Sequence, residues 1–134
     1  DMVNIDGERV SLTKYKGKVI FIDLWATWCL PCLEEMPFLD SLKQYYKGNN
    51  SLVFISLSID NNNYAWKKYL TENGRIQEPE YIIDRLKLIA YSVDVIPRTI
   101  IIGEDYKIGM LNGPLPSAKE TKNIINSFLE KINR

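Results

Sequence analysis

Cys29 and Cys32 are the only cysteines in a chain of 134 residues that has no histidine. They close the stretch Trp25-Ala26-Thr27-Trp28-Cys29-Leu30-Pro31-Cys32, where a hydrophobic run gives way to a helical pattern. Two thiols at that spacing, on the first turn of a helix, can form a disulfide with each other and open it again. Structural zinc asks for four Cys or His ligands, usually as two separated pairs, and here there is one pair, so no metal site is expected. Serine and cysteine hydrolases depend on a general base that is most often His, and none is present. A purely structural bridge stays open as a reading, although one closing so short a loop restrains the unfolded chain little. The CxxC spacing favours redox chemistry over it.

The scaffold around this pair has ordinary proportions. A chain of this length buries an adequate core as one domain, expected over 1–134. Lys+Arg and Asp+Glu are each 17, so nothing favours nucleic acid or an anionic membrane as partner. The longest apolar runs fall far short of the roughly 20 residues of a membrane span, so any membrane attachment must come from a segment absent from this chain. The first residue is Asp1 and not Met, as expected either of a trimmed chain or of the mature part of a longer precursor.

Residues 1–15 read as an N-terminal hairpin extension, with Asp6-Gly7 at the turn between Val3/Ile5 and Val10/Leu12. Val19 to Trp25 is apolar on both faces apart from Asp23, as expected of a central strand covered by helices. From Leu30, the positions Leu33, Met36, Leu39, Leu42 and Tyr46 recur at helical spacing, with Pro37 expected to kink the helix and Gly48 to end it. Leu52 to Ile59 is a second buried strand. The region from about 61 to 91 holds a helix from about Tyr64 to Glu72, a short strand or extended connection at Glu80 to Asp84, and a short helix from Leu86 to Tyr91. Val95 to Ile102 and Lys107 to Leu111 form an antiparallel hairpin. Ser117 and Glu120 predict a capping box for a last helix buried through Ile124, Ile125, Phe128, Leu129 and Ile132. The order implies an α/β fold with a central mixed sheet flanked by helices.

That order, with Trp28-Cys29-Leu30-Pro31-Cys32 opening the first long helix and Ile96-Pro97 before a late strand, resembles the thioredoxin fold over nearly the whole chain. The leading hairpin, Tyr15-Lys16-Gly17-Lys18, the tryptophan-flanked CxxC and Glu35-Met36-Pro37 are similar to the TlpA/ResA-like branch of bacterial thiol-disulfide oxidoreductases. The region of about 61–91 falls where that branch carries an insertion before the cis-proline hairpin. The resemblance implies an extracytoplasmic, periplasm-facing enzyme that exchanges disulfides with cysteine-containing protein substrates. An upstream dithiol would be its electron donor. It would act as a monomer, with no cofactor beyond the Cys29–Cys32 disulfide, and cytochrome c apoprotein thiols are one substrate the branch implies.

The roles follow residue by residue. Cys29, at a helix N-terminus that stabilises a thiolate, is expected to attack, and Cys32 to resolve the mixed disulfide. Asp23 matches the buried acid of thioredoxins; burial without an evident partner should raise its pKa and suit it to take the Cys32 proton. Ser56 stands where thioredoxin has a lysine. Glu35 matches the active-site glutamate of the branch. Ile96 and Pro97, the latter expected in cis, would offer a docking edge to an extended substrate. Trp28, Leu30 and Pro31 would present an apolar face to it, and Arg98 would meet acidic substrate segments. Each has a plainer alternative: a strand acid aimed at a loop amide for Asp23, a solvated helix face for Glu35, a trans strand-initiating proline for Pro97, an exposed strand arginine for Arg98. Leu30-Pro31 lacks the histidine of the strongly oxidising members, so a reducing potential of roughly −200 to −270 mV is expected. A peroxidase of the same fold would need Pro at 22 and Thr or Ser at 26, where this chain has Ile22 and Ala26. A non-catalytic peptide-binding module is the other rival.

Overall fold

A computed structural model describes residues 2–77, 79–90 and 93–132. One seven-stranded mixed sheet runs through the molecule, in the order β2-β1-β5-β4-β3-β6-β7. Its parallel centre consists of β3 (Val19–Trp25), β4 (Leu52–Ser58) and β5 (Glu80–Ile82), which pair in that sequence. The hairpin β6 (Arg98–Ile102) and β7 (Ile108–Gly113) extends one side, with β6 antiparallel to β3. On the other side β1 (Met2–Val3) pairs with β5 and with β2 (Arg9–Val10), so the expected inserted region supplies the strand onto which the N-terminal hairpin docks. This is the thioredoxin fold that the motifs implied.

β3 is buried along its whole length because the sheet is covered on both faces. One face carries Val19, Phe21, Phe54 and Ile101 against Leu39 and Leu42 of α1 (Leu30–Tyr45) and Ile125 of α4 (Thr121–Ile132). The other carries Ile20, Ile22, Leu24, Ile55 and Leu57 against Trp66 and Leu70 of α2 (Asn63–Glu72) and Leu88 of α3 (Leu86–Ile89). Tyr91, expected in the last of these, lies outside the described residues. Trp66 and Leu70, one turn apart on α2, are wholly buried.

Three local expectations need correction. The hairpin strands are only two residues each. Asn4 organises the loop between them, its side-chain oxygen accepting from the N–H groups of Asp6 and Glu8, with Gly7 at φ +81°. β6 starts at Arg98, after the proline, and not at Val95. Pro37 stands inside α1, as expected, and the helix runs on to Tyr45. Ser117 and Glu120 do not cap α4, which begins at Thr121. The Ser117 N–H and hydroxyl are already taken by Glu35, and residues 116–120 form turns.

Candidate active site

The site is built where β3 runs into α1. Cys29 occupies the N-cap of α1 with an extended backbone, φ −98° and ψ 97°, and is bonded to Cys32 one turn on, Cα to Cα 5.3 Å. Its sulfur accepts the Cys32 backbone N–H at 3.3 Å. A thiolate on Cys29 would inherit that N–H and the partial positive charge of the helix terminus, the environment that makes a cysteine acidic and nucleophilic. Pro31 sits in the first turn, where its missing N–H leaves no helical hydrogen bond unmade. Both cysteines are buried in the disulfide, whereas their neighbours Trp28 and Leu30 are exposed at 63% and 65%. The exposed apolar surface therefore belongs to the residues beside the sulfurs.

The segment leading into Cys29 is held by a residue that sequence reading passed over. The Asp60 carboxylate accepts the Thr27 N–H at 3.1 Å, the Thr27 hydroxyl at 2.7 Å and the Ser58 hydroxyl at 2.5 Å. In the sequence Asp60 looks like a strand-ending acid before three asparagines. Its clamp on Thr27 depends on β3 and β4 running parallel in register, so that both strands end together.

Below the disulfide, Cys32 shares a cavity of about 10 Å³ with Asp23, Glu35, Pro97 and Arg98, roughly the space of one water molecule. Three parts of the chain, β3, α1 and the distant start of β6, thus line one cavity with Cys32. Asp23 is buried, and its carboxylate accepts the Ser56 hydroxyl at 2.6 Å. The expectation that it lacks a partner is corrected: Ser56 lies directly opposite on β4 and supplies the hydrogen bond. Burial still prevails. It pushes the Asp23 pKa up to about 6, against the hydrogen bond from Ser56 and the more distant cations Lys43 and Arg75. Asp23 can therefore both hold and release a proton near neutral pH.

Glu35 is not on a freely solvated helix face. Its two carboxylate oxygens accept the Ser117 N–H at 3.0 Å and the Ser117 hydroxyl at 2.7 Å, tying α1 to the loop before α4. Its neighbour Glu34 is exposed. The Ile96–Pro97 bond is cis, and both residues are half-buried just before β6 begins. Arg98 is not an exposed strand arginine: it is half-buried, and its Nε donates to the Leu111 carbonyl at 3.0 Å. Trp25 packs against Tyr69 in the core, ring centroids 5.3 Å apart. Among the described residues no group of three or more His, Cys, Asp or Glu side chains could hold a metal ion, and no helix is long and apolar enough to cross a membrane.

Glu80 was also missed. It is 5% exposed, opposite Ser56 on β5, and its pKa is pushed up to about 8 by burial and then by the Asp23 carboxylate. Nothing local marks it, since only the register of a three-residue strand aims it inward.

Comparison with known proteins agrees with this geometry. The chain matches the Redoxin family over residues 1–122. It is 30% identical over 133 residues to the thiol-disulfide oxidoreductase ResA of Bacillus thuringiensis strain Al Hakam, covering 98% of this chain and 73% of that protein. Identity to ResA of Bacillus subtilis strain 168 is 28% over 104 residues, 77% of this chain and 57% of that protein. Among solved structures, a crystal structure described as a putative thiol-disulfide oxidoreductase from Bacteroides vulgatus superimposes with a TM-score of 0.85. It is 36% identical, over 95% of this chain and 89% of that one. With its paired cysteines at the head of α1, on a thioredoxin-like sheet, the chain belongs to the Redoxin family and is a ResA-like thiol-disulfide oxidoreductase.

Proposed function

We propose that the protein works as a reductase of disulfides in protein substrates outside the cytoplasm. The Cys29 thiolate attacks one sulfur of a substrate disulfide, forming a mixed disulfide and expelling the other substrate sulfur as a thiolate. Cys32 gives its proton to Asp23 and attacks the Cys29 sulfur. That step forms Cys29–Cys32 and releases the second substrate thiolate, which is protonated in turn. Two electrons pass from the dithiol to the substrate, and an upstream dithiol of another protein restores them. The observation that carries this reading is the shared cavity of Cys32 and Asp23 beneath the disulfide. A carboxyl poised to titrate near neutral pH is suited to take a thiol proton.

Exposed Trp28 and Leu30, with the Ile96-Pro97 edge whose proline lines the same cavity as Cys32, form the docking face in this reading. The reducing direction rests on Leu30-Pro31, which brings no cation to hold the reduced pair as thiolate. The extracytoplasmic setting rests on the resemblance to the ResA branch. Insulin reduction driven by dithiothreitol should be fast for the parent and abolished in Cys29→Ser. Cys32→Ser should accumulate a covalent complex through Cys29, whose captured partner identifies the substrate. Turnover surviving both substitutions, or a potential near −120 mV in glutathione equilibration, is incompatible with this function.

A further inference from the structure

Asp23, Ser56 and Glu80 form one row across β3, β4 and β5: Asp23 is opposite Ser56, and Ser56 is opposite Glu80. Residues opposite one another share a face of the sheet, here the face covered by α1. Neighbouring strands are about 4.8 Å apart, so Glu80 lies about 10 Å from Asp23 across the row. Glu80 is 5% exposed, and its Oε1 is buried without a hydrogen-bond partner among the described residues. The thiol chemistry described above does not use it.

Around Glu80 stand Asp23 from β3, Asp40 and Lys43 from α1, and Arg75 from the turn after α2. Arg75 is engaged by Asp40 at 2.6 Å. Glu80 and Asp23 are thus two buried carboxyls facing one another across a serine hydroxyl that is itself directed at Asp23.

We propose that Glu80 is a positioning residue for the dithiol, coupled by charge across Ser56 to Asp23, so that the two buried carboxyls titrate as one pair. At about 10 Å and an effective dielectric constant near 20, a second negative charge raises the proton affinity of the first group by about tenfold. Burial keeps Glu80 protonated around neutral pH, its pKa being about 8. Asp23 then carries the only negative charge of the pair while it exchanges a proton with Cys32. When Glu80 ionises at higher pH, the doubled charge holds protons more tightly at Asp23 and makes the Cys32 thiolate harder to form. The pair belongs to the macroscopic titration of the site. The effect on exchange rests on the function proposed above; the coupling between the carboxyls does not.

Carbon-13 NMR of the side-chain carboxyls in the oxidised protein, from about pH 4 to 10, tests the coupling without any substrate. The Asp23 resonance should move in two steps, the upper one coinciding with the ionisation of Glu80. Glu80→Gln should abolish the upper step, and Glu80→Asp should retain it. Glu80 titrating in the ordinary carboxylate range, or Asp23 moving in one step in the parent, overturns the proposal even where the variants do not fold. In reduced Cys29→Ser protein, adding Glu80→Gln should shift the alkaline rise of Cys32 alkylation to lower pH, giving several-fold faster alkylation near pH 9. An unmoved profile overturns the tuning of the dithiol. A parent inactive towards insulin would remove the proposed function and leave the titration result standing.

Discussion

At the scale of single residues, the candidate site depends on polar groups that accept more hydrogen bonds than their sequence context announces. Asp60 is the clearest. It takes three donors from Thr27 and Ser58 while 5% exposed, and so fixes the approach to Cys29. Replacing it by Ala leaves those donors unsatisfied, and the cost of an unmade buried hydrogen bond is about 1–3 kcal/mol. Asp60→Ala is expected to lower stability by that amount in urea unfolding and to speed hydrogen exchange at the Thr27 amide. An unchanged midpoint with unchanged exchange would show that Asp60 does not hold the loop. Glu35 could be read from the sequence as a candidate because it lies one turn beyond Cys32. Its partner could not, since Ser117 is 82 residues away. Ser117 looked like a helix cap because Ser with Glu three residues on is a local signature; the tertiary hydrogen bond to Glu35 took precedence over it.

At the scale of elements, helices are positioned by close contacts with the sheet. Gly109 on β7 lies beneath Phe128 of α4, and a Cβ built there would stand 2.3 Å from the Phe128 ring. The ring must move or the helix must lift, and overpacking of this kind costs about 1–3 kcal/mol. Gly109→Ala is expected to lower the unfolding midpoint accordingly, and Phe128→Leu in the same chain should recover part of the loss. Strictly additive single and double variants would place the conflict elsewhere. The inserted region shows how the elements depend on one another. Its helix α2 could be read from the spacing of Trp66 and Leu70. The role of β5 as a bridge to the N-terminal hairpin could not, because a three-residue strand has too little periodicity to declare its neighbours.

For the molecule as a whole, the two buried carboxyls make stability depend on pH in an unusual direction. Both pKa values are raised on folding, from 3.8 to about 6 for Asp23 and from 4.5 to about 8 for Glu80. The folded state therefore binds protons more tightly than the unfolded chain between about pH 4 and 8. Stability should fall as pH rises through that window and level off above it. Asp23→Asn removes one contribution while leaving Ser56 an acceptor. At pH 7 it should be more stable than the parent by about 2–3 kcal/mol, and near pH 4 the difference should vanish. Guanidinium unfolding at the two pH values checks the sign, and a variant less stable than the parent at pH 7 would contradict it.

By itself the sequence determined the redox pair, the helix that carries it, the strands before and after, and the thioredoxin-like order of elements. Those features are written in contiguous residues, through spacing, periodicity and turn chemistry. The buried position of Asp23 was legible for the same reason, as one acid in an otherwise apolar strand. Only the tertiary structure decided what each polar group meets: Ser56 at Asp23, Asp60 at Thr27, Ser117 at Glu35 and Glu80 at the far end of the row. Those partners are 33 to 82 residues apart or set by strand register. A shift of one residue in register turns every side chain of a strand to the opposite face, so no local pattern could supply them.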